Sequence, residues 1–318
     1  MTNITTLPQV SPVSYARAGD NPALVYLASL APTGRRAIEG RIKHVARMFN
    51  CPPEAMPWPA LRYQHLEAIR AKLQDSGLAP STINMTLYAL RGVCKAAFNL
   101  GLMSAEDYAR LCNVKPVRGE RLPKGRALNV GEIGALLDTC AGTPIGIRNA
   151  AIIALMYAAG LRRDEIVMLN TDHYNRDRGE LRVLGKGNKE RLLYVDNGAL
   201  DALNDWLTVR GDQPGPLFNP IKKGGQVQSR RMTDQAIYNL LVEHARQAGI
   251  TRFSPHDLRR SFISELLDRG ADVVTVQKLA GHASVQTTAS YDRRGERAKK
   301  KAIRLLHVPY RKRGINSL

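Results

Sequence analysis

The residues best suited to chemistry form an ordered series in the second half of the chain. The series comprises GLRRDE at 160–165, GKGNKER at 185–191, HDLRRSF at 256–262, LAGHAS at 279–284, and Tyr291. Arginine and lysine neutralise phosphate oxygens, histidine exchanges protons near neutral pH, and a tyrosine hydroxyl can attack phosphorus. Together these residue types can supply what the transfer of a phosphodiester needs without a metal ion.

The overall charge favours a polyanionic partner. The 318 residues include 47 Lys and Arg against 28 Asp and Glu, which leaves a formal net charge of +19. Nucleic acid is the leading candidate, although ribosomal and membrane-surface proteins share such a balance. The longest apolar stretch, residues 150–159, is too short to cross a bilayer. We therefore expect a cytoplasmic protein without membrane contact.

No sequence pattern typical of a metal or cofactor site is present. The histidines lack H-E-x-x-H spacing, and the phosphate-binding loop G-x-x-x-x-G-K-[ST] is missing. The four cysteines are far apart and form no C-x-x-C pair, which indicates incidental thiols: Cys51, Cys94, Cys112 and Cys140. The sequence predicts neither a metal nor a cofactor.

Composition and periodicity divide the chain into five predicted segments. They are a flexible arm at 1–20, a helical domain at 21–114, a basic linker at 115–127, a second domain at 128–295 and a basic tail at 296–318. In the second domain, an apolar core helix ends at Ala159, and GELRVLGKGNKERLLYV (179–195) alternates as a β-hairpin. Further helices are predicted at 233–248, 257–268 and 273–279. The expected fold class is mainly α with a small β-hairpin or sheet.

Two polar helix faces in the first domain are candidates for DNA contact. One helix is predicted to start with Ser81 as its N-cap and to end at Gly101. Its polar stripe comprises Asn84, Tyr88, Arg91 and Lys95. A second cluster lies on another predicted helix and comprises Arg35, Arg36, Arg41, Lys43, His44 and Arg47. A solvated face explains either set as well as a DNA groove does.

In order and spacing, the motif series resembles the catalytic signature of the tyrosine recombinase family, the phage integrases and Xer-type resolvases. The resemblance covers residues 128–295. It implies a helical domain that binds the DNA core site, followed by a mixed α/β catalytic domain. Two positions depart from the family's usual pattern, with Arg260 where His is frequent and Ala280 where Leu is more common. Neither departure removes a catalytic group.

The resemblance implies a role for each motif residue. Arg162 and Arg259 would clamp the oxygens of the scissile phosphate, and Glu165 would hold Arg162 in place. His256 would assist proton transfer, whereas His282 would contact the phosphate. Tyr291 would be the nucleophile. Lys186 would be the general acid, with Lys189 as the alternative.

The same resemblance implies a site-specific recombinase that works through a 3′-phosphotyrosyl intermediate and a Holliday junction. Its partner would be double-stranded DNA with inverted-repeat core sites, bound by a homo-tetramer whose subunits are monomers when free. The expected location is the cytoplasm, at the nucleoid of a prokaryote. Accessory proteins cannot be read from the sequence, nor can the choice among integration, excision and resolution.

Two rival functions and one ambiguous segment remain open at the level of sequence. A type IB topoisomerase shares the catalytic residues but acts as a monomer, and a catalytically silent DNA-binding protein would need none of them. In the basic tail, a short apolar segment could dock on a neighbouring subunit or on its own catalytic domain; it comprises Ile303, Leu305, Leu306 and Val308.

Overall fold

The computed structural model describes residues 11–119, 125–185, 189–292, 303–307 and 309. Within these residues the chain is mainly helical, with a three-stranded antiparallel sheet, which confirms the predicted fold class. The chain forms two compact units, Met1–Pro123 and Lys124–Leu318. The finer division into arm, linker and tail stays a prediction.

The described part of the first unit is a helical bundle built around one long central helix. The helices are α1 (Pro22–Ala28), α2 (Pro32–Met48), α3 (Tyr63–Asp75), α4 (Pro80–Asn99) and α5 (Ala105–Cys112). Helix α4 packs against the other four helices. It contributes Leu87 and Leu90 to a core that also contains Trp58 and Leu66, all of them excluded from solvent. Burial of these side chains stabilises the unit.

The start of α4 corrects one sequence-based expectation. Ser81 does not cap the helix, because Pro80 already occupies its first turn and Ala79 is the N-cap residue. Proline is favoured there, since its missing N–H would have no partner within the helix in any case. The predicted end at Gly101 agrees with the structure, in which the helix stops at Asn99.

The second unit combines helices with a small sheet. In chain order its elements are α6 (Val130–Asp138), α7 (Pro144–Ala158), α8 (Arg163–Met168), β1 (Tyr174–Asn175), β2 (Glu180–Gly185), β3 (Lys189–Tyr194), α9 (Asn197–Arg210), α10 (Asp234–Gln247), α11 (Pro255–Asp268), α12 (Val273–Ala280) and α13 (Val285–Ala289). The predicted helix positions at 233–248, 257–268 and 273–279 are confirmed to within two residues. Every strand pairing is antiparallel, in the order β1-β2-β3.

The β2–β3 hairpin has one buried and one exposed face, as its alternating sequence predicts. Leu181 pairs with Leu193, and both side chains are buried. Val183, on the same face, pairs with Arg191. Arg191 therefore projects from the apolar side of the hairpin, where a charged group requires partners.

Helix α7 forms the centre of the second core, and a tight turn follows it beside the sequence motifs. Its residues 151–156 are buried all round. Gly160 follows it with a φ of +57°, and a Cβ added there would lie 2.3 Å from Cδ1 of Phe262. Only glycine fits both this backbone conformation and this packing. The turn therefore brings Arg162 close to α11, which carries Phe262.

The described residues contain neither a membrane-spanning helix nor a disulfide bond. No helix there is long and apolar enough to span a membrane. The thiols of Cys51 and Cys94 are free and buried, that of Cys140 is free and partly buried, and that of Cys112 is free and exposed. The cysteines therefore form no cross-link within this chain.

Candidate active site

The second unit gathers four of the sequence motifs at or near the ends of helices. Arg162 is the N-cap residue of α8, and His256 and Arg259 lie in the first turns of α11. His282 follows Gly281, the C-cap residue of α12, and Tyr291 lies just beyond α13. Residues at the ends of different helices can point their side chains toward one common location.

Arg162 is held by the acidic residue one turn along its helix. Its backbone N–H donates to Oε2 of Glu165 at 2.8 Å, and its Nη1 donates to Oε1 at 2.8 Å. The carboxylate of Glu165 is almost fully buried, whereas about a third of the Arg162 side chain is exposed. Glu165 thus fixes one end of a guanidinium whose remaining donors can meet an anion.

Arg191 is a residue of this site that sequence reasoning missed. Its Nη1 and Nη2 donate to the two oxygens of Glu165, each at 2.9 Å, and its Nε donates to the carbonyl of Leu279 at 3.1 Å. A Cβ on Gly281 would lie 3.0 Å from Cδ of Arg191. Arg191 therefore ties the hairpin to both the Arg162 motif and the His282 motif.

The charge of Glu165 is maintained by this double arginine environment. Burial acts to raise its pKa, but the hydrogen bonds from Arg191 and from the Arg162 backbone outweigh burial and lower the pKa to about 2. The carboxylate is therefore ionised at neutral pH. It orients arginines and has no proton to give to a reacting group.

Arg259 is completely buried at the base of the site. Its Nη1 donates to the carbonyl of Gly160 at 2.7 Å, and its Nη2 donates to the carbonyl of Ala280. Its Nε is buried and makes no hydrogen bond to any residue that the structure describes. A guanidinium carries five N–H donors, so donors remain for the oxygens of a phosphate. Burial lowers the pKa of Arg259 to about 10, which leaves it cationic at pH 7.

His256 and Tyr291 lie within hydrogen-bonding distance of each other. Nε2 of His256 lies 3.2 Å from the phenolic oxygen of Tyr291. The pKa of His256 is lowered by burial and by the nearby charges of Arg259 and Arg260. The imidazole is therefore neutral at pH 7, and Nε2 in its unprotonated form can accept the phenol proton.

His282 lies against the same tyrosine. The two rings stack with centroids 6.0 Å apart and an angle of 18° between their planes. Its Nδ1 lies 2.9 Å from Oγ1 of Thr288, which is buried. Burial and the positive charges of Arg259 and Arg162 lower its pKa to about 4. Nε2 of a neutral ring anchored in this way can donate or accept a hydrogen bond in the site.

Lys186 lies outside the residues that the structure describes, so its role stays a prediction. Gly185, the residue before it, lies at the site: a Cβ there would be 3.6 Å from Oε1 of Glu165. Lys189 is the first residue of β3 and is exposed. The hairpin therefore approaches the clustered arginines through its described strand ends.

The polar stripe on α4 separates into two kinds of residue. Asn84 exchanges two hydrogen bonds with the backbone of Val117, at 3.0 and 2.8 Å, and Arg91 donates to the carbonyl of Val114. These two side chains fasten the segment that follows α5. Tyr88 and Lys95 are exposed, and they are the members of the stripe most open to a ligand.

The basic cluster on α2 is also partly engaged within its own unit. Arg35 donates to the carbonyls of Ala28 and Leu30, and Lys43 pairs with Glu39 one turn away. The Arg36 side chain is exposed and that of Arg41 is half-buried. DNA contact by this cluster stays a prediction.

The potential metal-ligating side chains of the described residues are dispersed. No group of three or more His, Cys, Asp or Glu residues that could hold an ion occurs among the described residues. The described site contains arginine cations, neutral imidazoles, a phenol and the carboxylate of Glu165, whose oxygens are bound by Arg162 and Arg191. Such a set can bind and attack a phosphodiester through its own side chains.

The chain is similar in sequence to a known protein family and to one of its members. Residues 126–297 match the model of the phage integrase family. The tyrosine recombinase XerC of Alcanivorax borkumensis (strain ATCC 700651 / DSM 11573 / NCIMB 13689 / SK2) is 36% identical over 245 residues, which cover 74% of this chain and 76% of the relative.

Two solved structures share the fold at low sequence identity. The crystal structure of a lambda integrase (75–356) dimer bound to a COC′ core site is 13% identical, with a TM-score of 0.64 over 93% of this chain and 96% of that chain. That of a lambda integrase tetramer bound to a Holliday junction is 15% identical, with a TM-score of 0.63 over 89% of this chain and 78% of that chain.

Proposed function

This chain belongs to the phage integrase family and is a tyrosine recombinase, and we propose that Tyr291 is the residue that cleaves and rejoins DNA at specific sites. The observation that carries this assignment is the 3.2 Å separation between the phenolic oxygen of Tyr291 and Nε2 of His256. Because both residues belong to one chain, each subunit supplies its own nucleophile.

In the proposed cleavage step, the phenolic oxygen of Tyr291 attacks the scissile phosphorus. Its proton passes to Nε2 of His256, which is neutral at pH 7. Negative charge then grows on the non-bridging oxygens, where Arg162 and Arg259 donate hydrogen bonds. The bond between phosphorus and tyrosine oxygen forms as the bond to the 5′ oxygen breaks.

The leaving group and the return step complete the cycle. We assign the proton for the departing 5′ oxygen to Lys186, with Lys189 as the alternative donor. The products are a free 5′ hydroxyl and a 3′-phosphotyrosyl bond. Attack on that bond by the 5′ hydroxyl of another strand rejoins DNA and releases Tyr291. The energy of the original bond is conserved, so the reaction consumes no nucleotide.

The substrate and the assembly follow from the family. A formal net charge of +19 suits a double-stranded DNA substrate. Lambda integrase, which shares the fold, has been solved as a tetramer bound to a Holliday junction. We propose the same assembly for this chain, on paired inverted-repeat sites, and a location in the cytoplasm.

The basic tail is the proposed link between subunits. Ile303, Leu305 and Leu306 are all strongly exposed, although their side chains are apolar. Apolar side chains that are exposed together are typical of a segment that docks on another surface. We propose that it docks on the neighbouring subunit, with its own catalytic domain as the alternative. Val308 lies outside the described residues.

The two rival functions are not favoured. A DNA-binding protein without catalytic activity does not require a tyrosine next to a neutral histidine among buried arginines. A type IB topoisomerase would share the site, but the family match and the XerC relative both point to recombination.

Covalent capture from genomic DNA tests the function without a target site chosen in advance. The purified protein is mixed with sheared genomic DNA, denatured with detergent, and recovered under denaturing conditions before the attached DNA is sequenced. We expect attached fragments to end at a small number of sites with inverted-repeat flanks. Equal recovery of random sequences, or equal recovery by Tyr291→Phe, would refute site-specific cleavage.

A further inference from the structure

Arg260 lies over the ring of the proposed nucleophile, and it directly follows the motif arginine Arg259 in the chain. Its guanidinium carbon is 5.1 Å from the centroid of the Tyr291 ring. Only 12% of the Arg260 side chain is exposed. A guanidinium at this distance is attracted to the negative face of an aromatic ring, most strongly where water is excluded.

The guanidinium forms an ion pair with a carboxylate on its own helix. Its Nε lies 3.4 Å from Oδ1 of Asp257, a buried carboxylate. The other oxygen, Oδ2, accepts hydrogen bonds from the backbone N–H and the hydroxyl of Ser254, at 2.8 and 2.9 Å. Asp257 is therefore fixed at the start of α11, the same helix end that carries His256.

The backbone at Gly125 closes over this ion pair. A Cβ added there would lie 2.3 Å from Oδ1 of Asp257 and 3.1 Å from Nη2 of Arg260. Such a close approach restricts the rotamers open to Arg260. The packing therefore limits the positions that the Arg260 guanidinium can adopt over the tyrosine ring.

Three side chains thus surround the ring of Tyr291: His256 at its hydroxyl, His282 stacked beside it and Arg260 over its face. We propose that Arg260 is a positioning residue that holds the Tyr291 ring so that its hydroxyl stays beside His256. The proposal rests on the function proposed above. It assigns Arg260 no contact with the reacting atoms.

A different role for Arg260, as one more phosphate ligand, makes different predictions. A phosphate ligand contributes to DNA affinity and to its salt dependence. A positioning residue changes the rate of cleavage once DNA is bound and leaves affinity unchanged, because a misoriented nucleophile lowers reactivity alone.

The chain offers a matched control in Arg163. It too follows a motif arginine, lies 5.9 Å from the centroid of a tyrosine ring, that of Tyr238, and pairs with an aspartate, Asp234, at 3.2 Å. Tyr238 has no part in the proposed chemistry. Arg163→Leu therefore removes the same kind of contact away from the nucleophile.

The test compares Arg260→Leu, Arg260→Lys and Arg163→Leu in single-turnover cleavage of a nicked suicide duplex at saturating protein. We expect about tenfold slower cleavage for Arg260→Leu and partial recovery with lysine, which keeps the cation. DNA affinity and its salt slope should match wild type, and Arg163→Leu should cleave normally. The melting temperature of Arg260→Leu should fall, because the buried carboxylate of Asp257 loses its partner, so cleavage is measured at a temperature at which every variant is folded. Unchanged cleavage by Arg260→Leu, or slowing explained by weaker binding with a shallower salt slope, would overturn the proposal.

A second measurement does not depend on catalysis. In protein with ¹³C-labelled tyrosine rings, the Tyr291 resonance is the one missing from Tyr291→Phe. We expect faster ring flipping in Arg260→Leu than in wild type or Arg163→Leu. Unchanged ring dynamics would refute positioning. Absence of any adduct in the wild type would refute the proposed function and leave this result standing.

Discussion

The guanidinium of Arg191 forms a two-point hydrogen-bonded pair with the carboxylate of Glu165, with both distances at 2.9 Å. The same carboxylate also binds the side chain and backbone of Arg162. One buried carboxylate therefore joins the β2–β3 hairpin to the residue proposed to clamp the scissile phosphate. A two-point hydrogen-bonded pair fixes the direction of the contact as well as its distance. A movement of the hairpin must therefore change the position of Arg162.

Removal of Arg191 should damage both stability and cleavage. Arg191→Gln leaves the buried charge of Glu165 with fewer partners, and we expect a loss of about 3 kcal/mol in the free energy of unfolding. Cleavage by the folded variant should slow by about 100-fold, since Arg162 loses its fixed orientation. Denaturant melts and single-turnover cleavage of suicide DNA measure the two effects.

The control for this prediction is Arg182→Gln. Arg182 lies on the exposed face of the same hairpin, so its replacement should change neither quantity. Normal cleavage and stability in Arg191→Gln would show that the hairpin does not support the site.

The pH dependence of cleavage should follow the neutral form of His256. Its pKa lies below the ordinary value of 6.5, so the imidazole is neutral at pH 7 and becomes protonated as the pH falls below that range. A protonated ring cannot accept the phenol proton. We expect single-turnover cleavage to decline only as the pH falls below 6.5, because the lowered pKa moves protonation of the ring to more acidic conditions, and His256→Gln to be slow with a much flatter profile. A wild-type rate that rises on acidification would contradict the assignment of His256 as proton acceptor.

Lys186 can be distinguished from Lys189 by the chemistry of the leaving group. A DNA with sulfur in place of the scissile 5′ oxygen expels a thiolate, which needs no proton from the enzyme. We predict that Lys186→Ala slows cleavage of ordinary DNA by at least roughly 100-fold and cleaves the sulfur-containing DNA at nearly the wild-type rate. Lys189→Ala should be nearly normal on both. The opposite pattern would make Lys189 the general acid.

The α4 stripe should separate into DNA-binding and structural residues. Lys95→Ala should weaken DNA binding and reduce the magnitude of the salt slope by about 1, as expected for one lost phosphate contact. Tyr88→Ala should weaken binding without that change in slope. Asn84→Ala should instead lower stability by about 1 kcal/mol, since it loses both hydrogen bonds to Val117. Fluorescence anisotropy at several salt concentrations measures DNA binding. Substitution of Lys72, an exposed residue of α3, serves as the control.

The fold class and the chemical character of the site are predictable from sequence because they depend on local patterns. The alternation of Leu181, Val183 and Leu193 predicts the hairpin, and the apolar run before Gly160 predicts the core helix. Ser81 was wrong as a cap because Pro80, one residue earlier, starts the helix. That competition is also local, and the preference of proline for the first turn could have resolved it.

Contacts between distant segments were beyond reach of the sequence. Arg191 meets Glu165 and Leu279, which are 26 and 88 residues away in the chain. The sequence nevertheless contained one signal. Arg191 lies two residues before Leu193 and therefore on the same, apolar face of the strand, where a charged side chain requires a partner. Asn84 carried no such signal, because polar residues on a helix surface are equally compatible with solvent, DNA or the backbone of Val117.

The central claim is that Tyr291 forms a covalent bond with DNA, and one measurement tests it most directly. Protein is incubated with a nicked suicide duplex built on a captured site, and the denatured adduct is digested and analysed by mass spectrometry. The account predicts a 3′-phosphonucleotide attached to the peptide that contains Tyr291, and no adduct from Tyr291→Phe. An adduct on another residue, or one that persists in Tyr291→Phe, would contradict it.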